Sequence, residues 1–579
     1  MNRLTYFNIF CALALTALFS YFGLRGLNWG LPGETRSRMV MPADLRNSGF
    51  YGLMIEKRND IYSLTGESSL GRLAEDNGQG FTPVLKSLGA ARDRPLVFNG
   101  DPGVLADFVR PYLLRSNHPD EQMTLAALAT MKPAKLDFNP RLFQYGGAYI
   151  YPLGAWLGAL KAAGSITLTG DLVKYFENPG DMAKIFIAGR LFSLLFALAS
   201  LLLVFLLALK HFGTRTAVLA SLLFSIMPGI VFQAHIMKPY CLSMCFTLAT
   251  LYYSLEIAGE PGRAANYFIA GLFTGLAAGS MPFYGLIITA PLTAFLTAKE
   301  KPLKNLVIFA GAAAAFFMLT NPYWFLDHKR LLAELHGFSS GKTSLQLPAF
   351  LFFLTRQIPE GTGAGFVIAA AAGIPAALLG RGKKGAILAV SIVIPVFLAS
   401  LMFKSIEFSV QTVRLVLPWV AMSCVTAGIF LDRLFAERKT ILFGCLFLAA
   451  VTFELFAHSY ICAENFKIDS TSDSTRLLAG RWISNNVPRG ARVAVYGLPE
   501  PFTVPPMDFR KYTISVLFKP DNFEVLDYFV CGVDNAKVVT RKELLVVADI
   551  KPVDSFLGLK YSLGSTSLNS EVIIYKIVK

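Results

Sequence analysis

The chain has 579 residues, of which 54% are hydrophobic and only 16% charged. This balance excludes an ordinary soluble protein and indicates a multi-pass membrane protein. A formal net charge of +15 would suggest a nucleic-acid partner for a soluble protein, but membrane proteins accumulate Lys and Arg in their cytoplasmic loops. We therefore interpret the charge as a sign of orientation, with membrane lipids as partners and no nucleic acid.

The first 25 residues predict a membrane-crossing helix. Their apolar run, which ends near Leu24, is long enough for a bilayer core of about 30 Å. A cleaved signal peptide is the alternative. We favour a retained helix because no small-x-small cleavage site is followed by a soluble protein, and the chain stays aromatic from Phe22 to Trp29.

A long polar segment covers residues 26–183. We predict that it lies on the outer face of the membrane and carries an acidic motif and surface helices. Residues 146–166 within it are predicted to form an amphipathic or re-entrant helix on the outer surface. Aromatic side chains would then lie at headgroup depth, namely Tyr145, Tyr149, Tyr151 and Trp156.

Residues 184–460 predict a multi-helix membrane domain. Its apolar segments lie near 185–209, 216–234, 240–257, 265–281, 283–298, 305–325, 362–380, 386–403, 412–431 and 440–459. Together with the first helix they predict about eleven spanning helices. If residues 146–166 do not cross, the short basic loops, such as Arg381 to Lys384, fall on the cytoplasmic side, as the positive-inside rule requires.

The tail, residues 461–579, has the composition of a soluble domain. Asp473 and Ser474 can cap a helix that ends near Pro488. Short β-type runs follow at 493–495, 544–547 and 572–575. The predicted fold is therefore a helical membrane domain with a small α/β domain at its C-terminus on the outer face.

An acidic pair, Asp120 and Glu121, stands out in the long outer segment. Pro119 fits the first turn of a helix, and adjacent helical residues diverge by about 100°. One carboxylate can therefore face a substrate while the other binds a neighbouring element. The alternative is that the pair only caps a helix N-terminus, where negative charge is favourable.

Cationic side chains lie near the predicted outer ends of several membrane helices: Arg190, His235, Lys238 and Arg414. Charges at such depth are costly and commonly face a cavity or a partner. Each alone can be a side chain that extends to the headgroups. Several of them near one acidic pair predict a site for a phosphate-bearing lipid.

The motifs in chain order resemble those of GT-C glycosyltransferases. They are His118-Pro119-Asp120-Glu121, Asn139-Pro140 with Phe143 and Tyr145, Gly189-Arg190-Leu191, His235-x-x-Lys238-Pro239, Gly275-Leu276-Ala277-Ala278-Gly279, Thr320-Asn321-Pro322-Tyr323 and Arg414-x-x-x-Pro418. Within that superfamily the chain looks like the protein O-mannosyltransferase and aminoarabinose transferase group, the dolichyl-phosphate-mannose-protein mannosyltransferase-like family. The resemblance covers most of the chain.

The resemblance implies a glycosyltransferase of the plasma (inner) membrane that takes a sugar from a polyprenyl-phosphate donor on the outer face. Asp120 would be the general base, beside Glu121 in the catalytic site. Substrate-binding positions would be His118, Asn139, Tyr145, Arg190, His235, Lys238 and Arg414. The acceptor is left open among protein, lipid and glycan. We expect no cofactor, and a divalent metal at His118, Asp120 and His235 is the alternative.

Two features depart from the family pattern. Tyr240 stands where many relatives have an acidic residue, which questions a metal or acceptor role at that position. The stretch from Leu31 to Arg115 is longer than expected and can be an acceptor site or a surface elaboration. A transporter or flippase of anionic lipids and an inactive donor-binding relative are the alternative functions. We find no Walker motif, no G-x-G-x-x-G and no repeated halves.

Overall fold

Apolar helices form most of the protein. This computed structural model describes residues 3–65, 96–339, 353–402, 412–517, 526–532, 544–557, 559–561 and 568–577. The α-helices described in the N-terminal half are α1 (Arg3–Leu24), α2 (Glu34–Val40), α3 (Ser48–Thr65), α4 (Pro102–Leu114), α5 (Pro119–Thr130), α6 (Gly147–Ala162), α7 (Val173–Glu177), α8 (Pro179–His211), α9 (Thr214–Ser225), α10 (Pro228–Ala234), α11 (Tyr240–Gly259) and α12 (Ala264–Ser280).

The remaining helices continue the bundle and enter the tail. They are α13 (Thr289–Thr297), α14 (Leu303–Thr320), α15 (Tyr323–Leu326), α16 (His328–Ser339), α17 (Ile358–Thr362), α18 (Ala364–Met402), α19 (Leu417–Ala436), α20 (Ile441–Asp469) and α21 (Thr475–Asn486). Short segments of tighter or wider helix occur at Ala43–Leu45, Pro133–Lys135, Pro282–Ile288, Phe353–Gln357, Thr412–Val416 and Phe509–Lys511.

The structure confirms a helical membrane domain but not the count of eleven crossing helices. Within the described ranges seven helices are long and apolar enough to cross a membrane, or eight if a bent pair counts as one span. That pair is α9 and α10, which meet at 60° where Pro228 cannot continue the hydrogen bonding of the preceding helix. The predicted spans near 265–281 and 283–298 are shorter helices, α12 with 17 residues and the apolar Pro282–Thr297.

The predicted spans 362–380 and 386–403 both lie in α18, which folds back on itself. The backbone breaks at Gly382, where φ is 52° and ψ is −130°. A Cβ atom on Gly385 would lie 2.0 Å from the carbonyl oxygen of Ala377, whereas eight residues of one straight helix span about 12 Å. The two halves of α18 therefore form a tight hairpin, and its tip carries Arg381, Lys383 and Lys384.

Helix α6 is the segment that was predicted to lie on the outer surface. It does not appear among the helices that are long and apolar enough to cross a membrane. Its aromatic side chains differ from the prediction: Tyr145 and Tyr149 are buried inside the protein and pack on each other at 6.3 Å. Their rings therefore cannot lie among lipid headgroups, because α5, α8 and the chain before α11 cover them.

A six-stranded mixed sheet has five of its strands in the tail and one, β1, in the 26–183 segment. Its strands are β1 (Leu96–Phe98), β2 (Arg492–Tyr496), β3 (Thr513–Leu517), β4 (Tyr528–Gly532), β5 (Leu544–Ile550) and β8 (Val572–Ile577), and a separate small pair is β6 (Ser555–Phe556) with β7 (Leu559–Lys560). The order is β1-β3-β2-β4-β8-β5. Strand β2 pairs in parallel with β3 and β4, and the other neighbours are antiparallel.

The sheet joins two segments that the sequence separated. Strand β1 comes from the 26–183 segment and pairs with β3 of the tail, with Val97 opposite Ser515. Helix α4 packs its apolar face into the same core as the tail sheet. The predicted boundaries at residues 183 and 461 remain predictions, but the folded core crosses between these segments. As expected, Ser474 caps α21 by accepting a hydrogen bond from the Leu477 amide.

Candidate active site

Helix α5 presents the acidic pair at its first turn, as the sequence predicts. His118 is the N-cap residue, but its side chain makes no capping hydrogen bond. Asp120 and Glu121 point to different partners on other elements. The two carboxylates therefore link α5 to distant parts of the chain, which goes beyond the helix-capping alternative.

Asp120 lies in a cluster with two cations. Its Oδ2 atom contacts Nζ of Lys238 and lies 3.9 Å from Nη1 of Arg414. The side chain of Lys238 is 1% exposed, whereas those of Asp120 and Arg414 are 25% and 23% exposed. The cluster is therefore open on the side of Asp120 and Arg414 and closed behind Lys238.

Aromatic rings frame the two cations. Nζ of Lys238 lies 5.8 Å from the ring centroid of Tyr145 and 5.4 Å from that of Tyr240. The guanidinium carbon of Arg414 lies 6.0 Å from the same Tyr240 ring. Cations are stabilised over aromatic faces at such distances. Tyr240, which departs from the family pattern, thus holds both cations beside Asp120.

Glu121 forms a separate, fully buried ion pair with Arg190. Nε and Nη2 of Arg190 donate to the two carboxylate oxygens at 2.9 and 2.8 Å, and both side chains are 0% exposed. Arg190 also donates to the carbonyls of Leu27 and Trp29. Its guanidinium carbon lies 4.7 Å from the centroid of the Trp29 ring. Arg190 therefore has its bonding capacity met inside the protein.

The two acidic residues hold two consecutive residues of one segment. Glu121 accepts the amide of Met237 at 2.9 Å, while Asp120 contacts the next residue, Lys238. Ser116 donates to Glu121 at 2.6 Å from the preceding loop. These bonds align the start of α5 with the turn between α10 and α11, which places Lys238 against Asp120.

The other predicted site residues occupy different places. His118 is buried beside the cluster, and burial with the charges of Lys238, Arg414 and Arg190 holds its pKa well below the usual range. His235 faces the carbonyls of Val231 and Arg25 and stacks on Phe466 at 4.0 Å. Its ring is therefore engaged away from Asp120.

Asn139 is tied to a different loop. Its Nδ2 atom donates to Oδ2 of Asp327 at 2.9 Å, and its Oδ1 accepts the amide of Arg141. The structure thus brings together Asp120, Lys238, Arg414 and Tyr145, and it separates Asn139 and His235 from them. Among the described residues no group of three His, Cys, Asp or Glu side chains lies close enough to hold a metal ion.

Several residues that support the site escaped the sequence analysis. Arg36 donates to the carbonyls of Tyr112 and Arg115 and to Oδ1 of Asn117. Asn117 in turn donates to Asp469 at the end of α20. Arg36 carries no motif around it, and its partners lie roughly eighty residues away, so no local pattern could have found it.

Tyr284 also supports the cluster, because its hydroxyl donates to the carbonyl of Arg414. Trp29 closes the buried pair from the other side by contacting both Arg190 and His118. In the sequence Trp29 is an aromatic residue just after the first membrane helix, a position typical of contact with lipid headgroups. In the structure Trp29 is 0% exposed and therefore contacts no headgroup.

Comparisons with known proteins agree with the motifs. A family model described as dolichyl-phosphate-mannose-protein mannosyltransferase matches residues 183–325, a quarter of the chain that includes Arg190, Lys238 and Tyr240. No curated protein matches the sequence. Among solved structures, apo ArnT from Cupriavidus metallidurans is 12% identical over 75% of this chain and 88% of its own, with a TM-score of 0.40.

Two further structures are similar at the same low level. ArnT from Cupriavidus metallidurans bound to undecaprenyl phosphate is 11% identical, covers 74% of this chain and 88% of its own, and has a TM-score of 0.38. Archaeal oligosaccharyltransferase AglB from Archaeoglobus fulgidus, in complex with an inhibitory peptide and a dolichol-phosphate, is 12% identical, covers 68% and 62%, and has a TM-score of 0.36. The family match over residues 183–325 supports, for that part of the chain, the resemblance to GT-C, mannosyltransferase-like glycosyltransferases that the motifs predicted.

Proposed function

We propose that the protein transfers a sugar from a polyprenyl-phosphate donor to a hydroxyl or amine acceptor, with Asp120 as the general base. The observation that carries this proposal is the partly open contact between Asp120 and Lys238, with Arg414 3.9 Å from the same carboxylate oxygen. The matched family is named for a sugar carried on a lipid phosphate. Two cations can bind the negative phosphate of such a donor, and the carboxylate beside them can accept a proton from the acceptor.

The proposed reaction is a single displacement. Asp120 takes the proton of the acceptor O–H or N–H group, and the acceptor atom forms a bond to the anomeric carbon of the sugar. The bond from that carbon to the phosphate oxygen breaks, and its electron pair leaves with the polyprenyl phosphate, which inverts the configuration. Lys238 and Arg414 bind the phosphate and stabilise its growing charge.

The contact between Asp120 and Lys238 couples donor binding to the base. Without donor, the two charges satisfy each other. A bound phosphate draws Lys238 and Arg414 toward itself and so reduces the positive charge around Asp120. A carboxylate with less counter-charge holds a proton more strongly, so the donor makes Asp120 a better base.

Glu121 and Arg190 receive a positioning role in this proposal, in place of the catalytic and phosphate-binding roles that the sequence suggested. Both side chains are 0% exposed and bonded to each other. A phosphate could reach Arg190 only by breaking that buried pair, which is costly. We likewise propose that Asn139 and His235 shape the surrounding loops and do not contact the donor.

The placement of the charges supports an outer-face site. Arg190 and Lys210 both belong to α8, and twenty residues of helix span about 30 Å, the thickness of a bilayer core. Lys210 pairs with Glu256, and the hairpin tip at Arg381 pairs with Asp432 beside Thr216. The basic loops therefore gather at the end of the bundle opposite to Asp120, and the positive-inside rule makes that end cytoplasmic.

The test is a mass-spectrometric assay of the purified protein in lipid. Native protein, Asp120→Asn and Asp137→Asn are incubated with a panel of polyprenyl-phosphate sugars and a membrane extract as acceptor. Asp137 is a matched control because it is a carboxylate of the same segment that pairs with Arg141. We expect free polyprenyl phosphate and a glycosylated product from native protein and the control, and at least a hundredfold less from Asp120→Asn.

Donor binding is measured on the same proteins, so that loss of folding is distinguished from loss of the base. If native protein binds donor but transfers its sugar to no acceptor, the proposal is overturned. A lipid transporter or flippase, or an inactive donor-binding relative, then takes its place. Equal turnover by native protein and Asp120→Asn would refute the role of Asp120 as the base but not the transferase reaction.

A further inference from the structure

A large cavity lies on the opposite face of α5 from Asp120. Its volume is about 1230 Å³. It is bounded by α4, α5, α6 and the tail residues around Glu500. The side chains of α5 that line it are Gln122, Leu125, Ala126, Leu128 and Ala129. At about 100° per residue these positions point away from Asp120, so one helix separates the two sites.

The cavity has an apolar wall and a charged lining. Leu125, Leu157, Met182 and Ile185 are among the residues of the apolar wall. The charged side chains in its lining are Arg58, Arg110, Arg115, Lys161, Asp107 and Glu500. Cations outnumber carboxylates, and the surroundings are partly buried, so the cavity is suited to a ligand with an apolar chain and a negative head.

Glu500 adds a more specific requirement. The residue is 8% exposed, and its Oε1 accepts from Nη1 of Arg115 at 2.5 Å. Its other oxygen, Oε2, is buried and has no hydrogen-bond partner among the described residues. A buried acceptor without a donor costs free energy. A hydroxyl group on the head of the ligand would satisfy it while Arg115, whose side chain is 37% exposed, binds the phosphate.

We propose that this cavity binds a phospholipid of the surrounding membrane whose anionic head also carries a hydroxyl group. The acyl chain lies along the leucines of α5 and α6, the phosphate meets Arg115, and the hydroxyl donates to Glu500. This site is distinct from the donor site, because the Asp120 cluster faces the other side of α5. The bound lipid supports the face of α5 that backs the proposed base.

Two glycines of α6 provide a matched pair of variants. Gly154 lines the cavity, and a Cβ atom there would meet only Cδ2 of Leu128, at 3.1 Å. Gly158 lies one turn further along, is exposed, and would meet nothing within 4 Å. Gly154→Leu therefore fills the cavity, whereas Gly158→Leu does not. Both changes remove a helical glycine, so their gain in helix propensity is the same.

The experiment is native mass spectrometry of the full-length protein in micelles with added lipids. We expect native protein and Gly158→Leu to retain phosphatidylglycerol about tenfold better than phosphatidylcholine. Gly154→Leu should lose that binding at least tenfold while its donor binding is unchanged. Arg115→Gln, which removes one cation, is the second variant in case Gly154→Leu does not fold, and it should reduce the preference for phosphatidylglycerol.

Several results would overturn the proposal. Equal retention of the two phospholipids would show that the site does not select an anionic head. Undiminished retention by both variants would show that the lipid does not bind in this cavity. Displacement of phosphatidylglycerol by inorganic phosphate alone would show an anion site without a chain site. Displacement by polyprenyl phosphate would assign the cavity to the donor. Binding is measured without turnover, so failure here leaves the proposed transferase reaction untouched, and the reverse also holds.

Discussion

Two neighbouring carboxylates have opposite environments in this protein. Asp120 is one-quarter exposed and meets Lys238 and Arg414, whereas Glu121 is closed off with Arg190. The sequence predicted that the two side chains diverge, because adjacent helical residues point about 100° apart. It could not predict which one faces the open site, because the partners that decide this lie 69 and more residues away.

The buried pair predicts a large effect on stability. Glu121→Ala leaves Arg190 buried without its carboxylate, so we expect a loss of about 3–5 kcal/mol in the free energy of unfolding. Denaturant or thermal unfolding in detergent measures it. Asp137→Ala removes a carboxylate of a partly exposed pair and should lower the free energy of unfolding far less. A smaller loss for Glu121→Ala than for Asp137→Ala would contradict the positioning role.

The Tyr240 ring predicts a graded effect on phosphate binding. Tyr240→Leu removes the aromatic face beside Lys238 and Arg414, so the dissociation constant for polyprenyl phosphate should rise by about threefold to thirtyfold. Tyr240→Phe keeps the ring and should bind nearly as well as native protein. Isothermal titration or native mass spectrometry tests this. If Phe weakens binding as much as Leu, the hydroxyl group is what matters.

Helix α6 shows how glycines permit close packing of an element. A Cβ atom on Gly146 would lie 1.8 Å from the carbonyl oxygen of Gly279, and one on Gly147 would lie 1.9 Å from that of Thr320. The start of α6 is thus pressed against the ends of α12 and α14. The sequence showed these glycines only as the start of a helix, because the carbonyls that require them belong to other helices.

This packing predicts a contrast between two alanine variants of α6. Gly147→Ala must push α6 away from α14, so we expect a loss of about 1–3 kcal/mol in the free energy of unfolding. Gly158→Ala meets nothing within 4 Å and should be neutral or slightly stabilising. Thermal unfolding of the two variants in the same detergent makes the comparison. Equal midpoints would mean that the close contact carries no energy.

The 26–183 segment and the tail fold around a shared core. Phe509 of the tail is 0% exposed and packs on Phe108 and Tyr112 of α4 at 5.6 and 6.0 Å. The hydroxyl of Tyr112 donates to the carbonyl of Val504 at 2.9 Å. Because α4 leads through Asn117 into α5, the tail supports the loop that carries Asp120.

This arrangement predicts a long-range effect of one tail residue. Phe509→Ala should cost about 3–5 kcal/mol and should raise amide hydrogen exchange in α4 as well as in the tail. Leu478→Ala is the matched control, because Leu478 is 37% exposed on α21. Exchange that rises only in the tail would show that the segment and the tail open independently.

Local sequence patterns were sufficient to predict the membrane class, most of the apolar helices, the C-terminal α/β region, the first turn of α5 and the family resemblance. Hydropathy and turn residues are local properties. Each apolar segment that is long enough can form a membrane helix whose backbone hydrogen bonds lie within the segment itself. The folded structure was needed to see the pairing of Asp120 with Lys238, the burial of Glu121 with Arg190, the hairpin at Gly382, and the strand of the 26–183 segment that joins the tail sheet. These features depend on contacts between residues far apart in the chain, whose energies come from mutual burial and charge neutralisation that no local pattern encodes.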